Sequence, residues 1–362
     1  MFRMFRGGAT RTELTGQAQR DAWKAGILPP VERVGPGLWS IPVPIPFADL
    51  RYVLVYALEL TDGVAVVDVG WDTDEALSAL TAGLAVAGYR PADVRAIMVT
   101  HIHPDHYGLA GRLREASGAW VGLHPADAAM LRVRYDEPGP LLEDNRMLLE
   151  RIGSPADEAS SLASSSLPAR AFVNFVVPDV LIEDGQRLDL PGWDLRALWT
   201  PGHSPGHLCF VEAGRRLLFS GDHVLPRITP NVSVHPQQRV NPLADYLDSL
   251  RRVGELDIAG VLPAHEYRFA DLAARLAEVV AHHDERLAEV EKALAAAPGT
   301  SCWQLATRLT WSRPWEQITG YMRRAATGET LAHLIVLEQQ GRAVRSGGRP
   351  ERWWRPDQLT WT

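Results

Sequence analysis

The densest group of chemically reactive side chains in the sequence follows an apolar run, residues 94–99, and reads Thr100-His101-Ile102-His103-Pro104-Asp105-His106. On an extended chain His101 and His103 point to the same side. Asp105 and His106 then lie at the turn into a helix. Three imidazoles and one carboxylate within six residues are the ligands that a divalent ion such as zinc prefers. The spacing therefore predicts a metal site at the end of this strand.

Three further ligand-type residues stand alone later in the chain, each after an apolar run. They are His203 in Thr-Pro-Gly-His-Ser-Pro-Gly-His, Asp222 in Phe-Ser-Gly-Asp-His, and His265 in Val-Leu-Pro-Ala-His-Glu. The neighbouring glycine and proline residues allow sharp turns that present a side chain at the rim of a sheet. We expect these three residues to converge on the strand-end histidines.

The elements that must position these residues alternate between strands and helices. Apolar runs predict strands over residues 39–43, 52–60, 64–69, 94–99, 180–182, 195–199, 208–211 and 217–220. Helical spacing of apolar residues predicts helices over residues 74–87, 106–116 and 271–297. Alternation of this kind predicts an α/β fold in which helices cover the faces of sheets.

The segment 134–176 has a different composition. It contains Pro-Gly-Pro and a Ser/Ala-rich stretch, residues 159–166, between two predicted helices. Structureless segments of that length are rare in compact domains unless they form lids. We therefore predict an inserted helical cap, and its Phe172 and Phe175 would line an apolar pocket for an acyl chain.

The composition changes again from Thr300 onward. This tail contains nine arginines, no lysine and five acidic residues, and it holds six of the twelve tryptophans. Two predicted helices, the second over residues 330–340, and a strand at Trp353-Trp354 indicate a small winged-helix-like module. Because aromatic residues usually mark burial or an interface, a packing appendage is favoured over a nucleic-acid reader. Coverage of the active-site mouth and a homodimer interface are the remaining interpretations.

The whole-chain composition limits the class of protein. A chain of 362 residues with 46% hydrophobic residues predicts two domains, or one large domain with an appendage, with enough apolar residues for a substantial core. The net charge of −7 argues against a protein that coats nucleic acid. Two cysteines, Cys209 and Cys302, are too few for a disulfide framework or a four-thiolate zinc site, which indicates a cytoplasmic protein. The apolar runs are too short for a signal peptide or a membrane span, so we expect no membrane partner.

Taken in order, these motifs resemble those of the metallo-β-lactamase superfamily of binuclear metallohydrolases. The family has an Asp at an early strand end, here Asp68 in Val-Val-Asp-Val-Gly, then H-x-H-x-D-H, a His, an Asp and a final His. The resemblance covers about residues 38–268 and implies an αβ/βα sandwich with metals at one rim. It divides the chain into an N-terminal extension (1–37), a catalytic domain (38–268) containing the cap, and a long helix with the winged-helix-like module (269–362).

The resemblance also implies a role for each motif residue. A first metal ion would be held by His101, His103 and His203. A second would be held by Asp105, His106 and His265, and Asp222 would bridge the two. Two divalent ions, expected to be Zn²⁺ with Mn²⁺ or Fe²⁺ as alternatives, would hold a bridging hydroxide as nucleophile. Asp105 would also orient that hydroxide, and Asp68 would accept an N–H from a ligand imidazole.

The ligand set narrows the branch of the family. A penicillinase of the best-known type has Cys at the position of Asp222 and usually no ligand at the position of His106. The set found here is similar to those of hydroxyacylglutathione hydrolases, lactonases and nucleases. A thiolate leaves without a proton donor, and the sequence shows no spare acid beyond the ligands, which favours an acyl thioester, small or carrier-bound, as substrate.

Two alternatives to an acyl thioester as the substrate stay open. The first is a lactone, which is also an activated ester. RNA is the other, because lactamase-like endoribonucleases resemble this chain in carrying a tail of this kind after the catalytic domain. The acidic catalytic domain makes nucleic acid the less favoured partner, since phosphodiester binding draws on basic surface.

The remaining histidines near the motifs have other expected roles. His207 is expected to form structural hydrogen bonds, because seven ligands already fill the two sites. His223 points away from Asp222 on an extended chain and is expected in the wall or core. On the long helix, one of His282 and His283 is expected in solvent and the other in a packed position.

Two non-histidine residues beside the motifs leave alternatives open. Tyr107 follows the metal turn, and substrate contact and packing are equally compatible with its position. Arg227 lies in the loop after Asp222, where a surface position is the default and binding of an anionic substrate group is the alternative.

Overall fold

The structure is a computed structural model that describes residues 15–46, 50–237 and 241–359. Two sheets account for most of its strands. The first has the order β1-β2-β3-β4-β5-β6-β7. Its strands are Glu32–Gly35, Leu38–Pro44, Tyr52–Leu60, Gly63–Val67, Val94–Met98, Trp120–Leu123 and Val180–Leu181. Neighbours are antiparallel from β1 to β4 and parallel from β4 to β7.

The second sheet has four strands in the order β11-β10-β9-β8. In chain order these are β8 (Leu195–Trp199), β9 (Leu208–Glu212), β10 (Leu217–Gly221) and β11 (Gly260–Pro263). The pair β10 and β11 is parallel, whereas β8, β9 and β10 are antiparallel neighbours. The loop between β8 and β9 carries His203, and the ends of β10 and β11 lead directly into the segments of Asp222 and His265.

The helices have the following bounds. They are α1 (Gln17–Ala25), α2 (Asp74–Val86), α3 (Pro104–Tyr107), α4 (Ala110–Ser117), α5 (Pro125–Ala128), α6 (Gly139–Arg151), α7 (Ala156–Ala163), α8 (Pro242–Gly254), α9 (Leu272–Ala296), α10 (Cys302–Ala306) and α11 (Gly320–Gln339). The predicted helix over residues 106–116 is divided into α3 and α4. Among the described residues, no helix is long and apolar enough to cross a bilayer.

The two sheets pack face to face, as the α/β sandwich prediction requires. Alternate residues of β3, such as Leu54 and Tyr56, share one buried cluster with Phe210 and Phe219 of the second sheet. The intervening residues of β3 face the opposite way and pack in a second cluster with α2 and α4. Because both faces of the strand are covered, its apolar run is continuous rather than alternating. Helices α8 and α9 cover the outer face of the second sheet.

The segment 134–176 is largely helical, and its role as a cap stays a prediction. It consists of a π-helical turn over Arg132–Asp136, then α6 and α7, and a 3₁₀ segment over Leu167–Phe172. Leu149 and Leu162 of this segment belong to the same buried cluster as Leu334 of α11. The segment therefore packs against the C-terminal helices as well as lying beside the sandwich.

The C-terminal segment consists of α10, α11 and a two-stranded antiparallel sheet, β12 (Val344–Ser346) and β13 (Arg352–Trp354). Helix α11 begins at Gly320, ten residues before the predicted start. Trp303 and Trp353 are buried in the cluster that also contains α9, so packing is a major use of these aromatic residues; Trp361 lies outside the described residues. The interpretation of this segment as a winged-helix-like module stays a prediction.

Part of the predicted N-terminal extension belongs structurally to the first sheet. Strand β1 pairs with β2 through Glu32 and Ser40. The ring of Trp23, on α1, packs edge-on against Tyr52 at 5.7 Å between ring centroids. Residues 1–14 of the extension lie outside the described residues.

Candidate metal centre

All seven predicted ligands converge at one rim of the sandwich. Their donor atoms form three overlapping groups, within each of which every atom lies within 4.8 Å of the others. The first group is His101, His103 and His203, the second group is Asp105, His106 and His265, and a third set, His101, His106 and Asp222, connects these two. The residues come from four separate stretches of the chain, so the clustering is a property of the fold and not of local sequence.

The first group consists of three imidazoles. The Nδ1 atom of His103 lies 2.8 Å from Nε2 of His101 and 3.0 Å from Nε2 of His203. Burial lowers the pKa of all three rings, and their mutual proximity lowers the pKa of His101 and His103 further. Each ring is therefore neutral at physiological pH, the form in which an imidazole nitrogen can bind a metal.

The second group combines imidazoles with carboxylates. The Nε2 atom of His265 lies 3.3 Å from Oδ2 of Asp105 and 3.2 Å from Oδ1 of Asp222. The Nε2 atom of His106 lies 3.6 Å from each of the same two oxygens. The Nε2 atoms of both rings and Oδ1 of Asp222 are buried without a hydrogen-bond partner. Buried polar atoms in native proteins nearly always have a partner, and a cation would supply one here.

Asp222 lies between the two groups. Its Oδ1 atom faces His106 and His265, and its Oδ2 atom lies 3.5 Å from Nε2 of His203 in the first group. This is the placement that a carboxylate needs to bridge two ions. The residue follows Gly221, which has a φ of +50°, and a Cβ there would lie 2.8 Å from Nε2 of His207. Glycine thus permits the sharp exit from β10 that presents Asp222.

The electrostatics of the second group favour positive charge. Burial acts against protonation of His106, but the carboxylates of Asp105, Asp68 and Asp222 outweigh it and raise the pKa of that ring to about 9. The same balance, led by Asp222, raises the pKa of His265 well above its usual value. Without an ion, this group therefore attracts protons, and a divalent ion would replace them.

Asp68 makes the contact that was predicted for it. Its Oδ2 atom lies 2.8 Å from Nδ1 of His106, and its Oδ1 atom accepts a hydrogen bond from the backbone N–H of Thr100 at 2.8 Å. The carboxylate therefore holds the proton of His106 on Nδ1 and leaves Nε2 free to face the centre. Asp68 has a φ of +61°, a conformation that Asp and Asn adopt more readily than most residues.

Backbone carbonyls orient two other rings in the same way. The Nδ1 atom of His203 lies 2.8 Å from the carbonyl oxygen of Asn231, and Nδ1 of His265 lies 2.9 Å from that of Tyr52. Since a carbonyl oxygen only accepts, each ring carries a proton on Nδ1 and turns Nε2 toward the centre, where a bound ion would take the place of any proton on it.

Asp127 is a structural residue of the site that sequence reasoning missed. Its fully buried carboxylate accepts hydrogen bonds from the N–H of Ile102 at 2.8 Å, the hydroxyl of Ser204 at 2.8 Å and the N–H of Gly206 at 2.7 Å. It thus joins the loop of His101 and His103 to the loop of His203. No local pattern reveals this, because the partners lie 25 and up to 79 residues away.

The C-terminal helix α11 also supports the centre. The hydroxyl of Ser233 donates to the carbonyl of Ala325 at 2.8 Å, and the N–H of Val234 donates to the carbonyl of Gly328 at 3.2 Å. These contacts fix the loop that carries Asn231, the acceptor for His203. The tail therefore does more than pack at a distance from the site, and its contribution could not be read from its composition.

The predictions for the other histidines have mixed outcomes. His207 is structural as expected: Nδ1 lies 2.8 Å from Oγ1 of Thr200, and Nε2 accepts from the N–H of Asp222 at 3.1 Å. His223 is fully buried in the core, also as expected. The expectation that one of His282 and His283 faces solvent is wrong, because both are buried, 5% and 3% exposed. The C-terminal segment covers that side of α9.

Tyr107 has a packing role. Its ring is buried, and its hydroxyl donates to the carbonyl of Val176 and accepts from the N–H of the same residue, so it does not face the centre. Arg227 is only 30% exposed in its side chain, and its Nε lies 4.0 Å from a carboxylate oxygen of the buried Glu266. This ion pair, rather than open solvent, is the environment of Arg227.

The buried donor groups that a divalent ion would satisfy lie at the rim of an αβ/βα sandwich. This fold and this site together define the class of metallohydrolases. The sequence matches the metallo-beta-lactamase superfamily over residues 48–265, and the chain belongs to that family.

Individual relatives agree with this assignment. A probable metallo-hydrolase of Bacillus subtilis is 27% identical over 83% of this chain and 92% of its own length. A lactamase-like protein of Aspergillus niger is 36% identical, but the match covers 35% of this chain and only 38% of that protein.

Two solved structures are similar over most of the chain. A metallo-beta-lactamase family protein of Thermus thermophilus has a TM-score of 0.77 and 35% identity over 89% of this chain and all of its own. A beta-lactamase domain protein of Burkholderia ambifaria has a TM-score of 0.74 and 29% identity over 90% of this chain and 94% of its own. The similarity therefore extends beyond the family domain into the C-terminal segment.

Proposed function

We propose that this chain is a hydrolase that holds two divalent ions, with Zn²⁺ as the first expectation, and cleaves acyl thioesters. The observation that carries the two-ion site is Asp222, whose two oxygens face two separate groups of donors. The first ion would be held by His101, His103 and His203. The second would be held by Asp105, His106 and His265. When bound, such ions lower the pKa of water and stabilise negative charge on a substrate oxygen.

The residues of the chain contribute orientation and charge. Asp105 lies in the second group, with Oδ2 beside both His106 and His265. From this position its carboxylate can orient the nucleophilic water by accepting a hydrogen bond from it. Asp68 keeps His106 in one tautomer, and the carbonyls of Asn231 and Tyr52 do the same for His203 and His265.

The environment of the centre supports a substrate whose leaving group needs no proton. The hydroxyls of Tyr107 and Tyr135 are engaged with backbone groups, at Val176 and at the carbonyl of Ile102. Burial raises the pKa of Glu266 to about 7, but its carboxyl is 0% exposed and out of reach of a substrate. A thiolate leaves without a general acid, whereas the nitrogen of an amide must be protonated.

The tail offers limited support for RNA as the substrate. Four of its arginines form ion pairs with carboxylates of this chain, which reduces the positive charge open to phosphates. The pairs are Arg323 with Glu158, Arg342 with Glu291, Arg345 with Glu338 and Arg355 with Asp357.

A substrate panel tests the proposal. The zinc-loaded protein is assayed on acyl thioesters of N-acetylcysteamine, on a lactone and on bis-p-nitrophenyl phosphate, at low and high salt. We expect thioester turnover that persists at high salt and is abolished by His103→Ala. His282→Ala, a buried histidine outside the ligand set, is the control and should retain turnover. Full activity in His103→Ala, or phosphodiester cleavage without thioester cleavage, would contradict the proposal.

A further inference from the structure

An unpaired cation lies in the interior of the protein on helix α11. Arg324 is 9% exposed, and its Nη1 atom donates one long hydrogen bond, 3.5 Å, to the carbonyl of Ala163. Its Nε atom is buried without a partner. Within the described residues no carboxylate pairs with it, and its guanidinium carbon lies 5.3 Å from the ring centroid of Tyr321. A buried charge without a counter-charge is unfavourable unless something else compensates it.

Arg324 opens into a cavity between α6 and α11. One side of the cavity is lined by Asn145 and Leu148 of α6 and by Ile152, which follows that helix. The other side is lined by Arg324 of α11 and by Val234 and His235. The loop that carries His235 is the loop that carries Asn231, the acceptor for His203. Its hydrogen bonds to α11 keep the cavity beside the metal centre.

A second arginine without an acidic partner lies on the other side of this region. Arg134 belongs to the π-helical turn, which the hydroxyl of Tyr135 ties to the carbonyl of Ile102 at 2.6 Å. Arg132 of the same turn lies near Asp136 and Glu137, at 3.7 and 3.8 Å, whereas no ion pair of Arg134 is found within the described ranges. The turn thus places Arg134 next to the loop of His101 and His103.

The two guanidinium groups act on one histidine of the cavity wall. Burial lowers the pKa of His235 well below its usual value, and Arg324 and Arg134 lower it further. No acid in the described part of the chain forms an ion pair with either guanidinium, so no ion pair offsets their positive charge at the cavity.

We infer that Arg324 and Arg134 bind an anionic group of the substrate next to the reacting carbonyl. A guanidinium presents paired N–H donors that match a carboxylate or a phosphate. This inference deepens the proposed function and rests on it: the thioester substrate carries an oxyanion. Because the turn of Arg134 is tied to the carbonyl of Ile102, between His101 and His103, the oxyanion lies close to the scissile bond. The favoured source is a carboxylate on the acyl group, and the leucines of α6 suit the methylene groups between.

Paired substrates test this assignment. The ratio of kcat/KM for succinyl to butanoyl N-acetylcysteamine thioester is measured for the wild type, Arg324→Met, Arg134→Gln and the control Arg132→Gln. One charge-assisted hydrogen bond corresponds to about a 10- to 100-fold effect, so we expect Arg324→Met to lower the ratio by that factor. Arg134→Gln should lower it as well, and Arg132→Gln should not.

A second pair of substrates separates the two sources of the oxyanion. If the anion is a phosphate of the thiol carrier, Arg324→Met lowers the kcat/KM ratio of butanoyl-coenzyme A to butanoyl-pantetheine and leaves the succinyl ratio unchanged. That result would overturn the carboxylate assignment while keeping the anion site. If neither ratio changes, the anion site itself is refuted.

Direct binding distinguishes failure of this inference from failure of the proposed function. Succinate and inorganic phosphate are titrated into the metal-loaded full chain by calorimetry, for the wild type and Arg324→Met, and the melting temperature of each is recorded. We expect weaker anion binding in Arg324→Met with no loss of melting temperature, because the removed charge is uncompensated. Equal binding with a lower melting temperature would show a structural role for Arg324 and overturn the inference, whether or not thioesters are hydrolysed.

Discussion

Asp68→Asn tests the claim that a carboxylate outside the ligand set controls the second group of donors. Asn has the same shape and tolerates the φ of +61° at this position, so the backbone is not strained. The change removes one negative charge beside His106 and replaces one acceptor oxygen with an NH₂ donor. Either orientation of the amide places that NH₂ against an N–H, of His106 in one case and of Thr100 in the other.

The magnitude follows from the lost contact. The carboxylate oxygen lies 2.8 Å from Nδ1 of His106, the distance of a charge-assisted hydrogen bond. Removal of such a partner of a ligand histidine typically lowers metal affinity by about 10- to 100-fold. This corresponds to about 1.4 to 2.7 kcal/mol. We expect the loss to fall on the ion held by Asp105, His106 and His265.

Competition with a chromophoric zinc chelator measures this affinity. Asp62→Asn is the control, because that carboxylate is 69% exposed and lies at the β3–β4 turn. We expect one of two zinc equivalents to bind more weakly in Asp68→Asn and both to bind normally in Asp62→Asn. If both equivalents bind to Asp68→Asn within about twofold of the wild type, the reasoning on this contact is refuted.

Three further changes test the supports of the centre and the buried histidines. Asp127→Ala leaves three buried donors without an acceptor, and the free energy of unfolding in urea should fall by about 3 kcal/mol or more; a loss below about 1 kcal/mol would contradict the role given to this carboxylate. Gly328→Ala places a Cβ 2.9 Å from Cβ of Ser233, so it should displace the loop of Asn231 and weaken zinc binding in the chelator assay. Gly139→Ala is the control, because a Cβ there meets nothing within 4 Å, and it should leave zinc binding unchanged. Burial lowers the pKa of His333 to about 3, so below about pH 6.5 the unfolded chain binds a proton that the folded chain does not, and stability is lost as pH falls toward 3 by about 1.4 kcal/mol per pH unit. In urea unfolding between about pH 6 and pH 4, the free energy of unfolding of His333→Gln should fall less steeply with pH than that of the wild type. An equal slope in both proteins would show that this ring does not contribute.

Local patterns predicted the elements that carry strong periodicity. The strand Tyr52–Leu60 and the helix Leu272–Ala296 match their predictions to within one residue at each end, because a continuous buried run and a three-to-four spacing are encoded along the chain itself. The start of α11 was missed by ten residues. Gly320, Thr327 and Gly328 interrupt its apolar spacing, and tertiary packing supplies what propensity does not.

The seven donors of the centre were predicted from sequence because each lies at a recognisable strand end or shortly after one. Among the residues that hold them, Asp68 was predicted through its motif and His207 as a structural residue, but Asp127 and Asn231 were not. Asp127 and Asn231 contribute through contacts across loops, and Asn231 uses its backbone carbonyl, which leaves no trace in residue type. Arg324 appeared only as one of nine tail arginines until the fold showed it buried and without an acid.

Metal content tests the central claim most directly. The purified full chain is analysed for bound metal by mass spectrometry, and its crystals are examined by anomalous diffraction at the metal edges. We expect two divalent ions per chain, on opposite oxygens of Asp222, with His103→Ala losing the first and His265→Ala losing the second. A single ion, or two ions that persist in both variants, would contradict the two-ion centre.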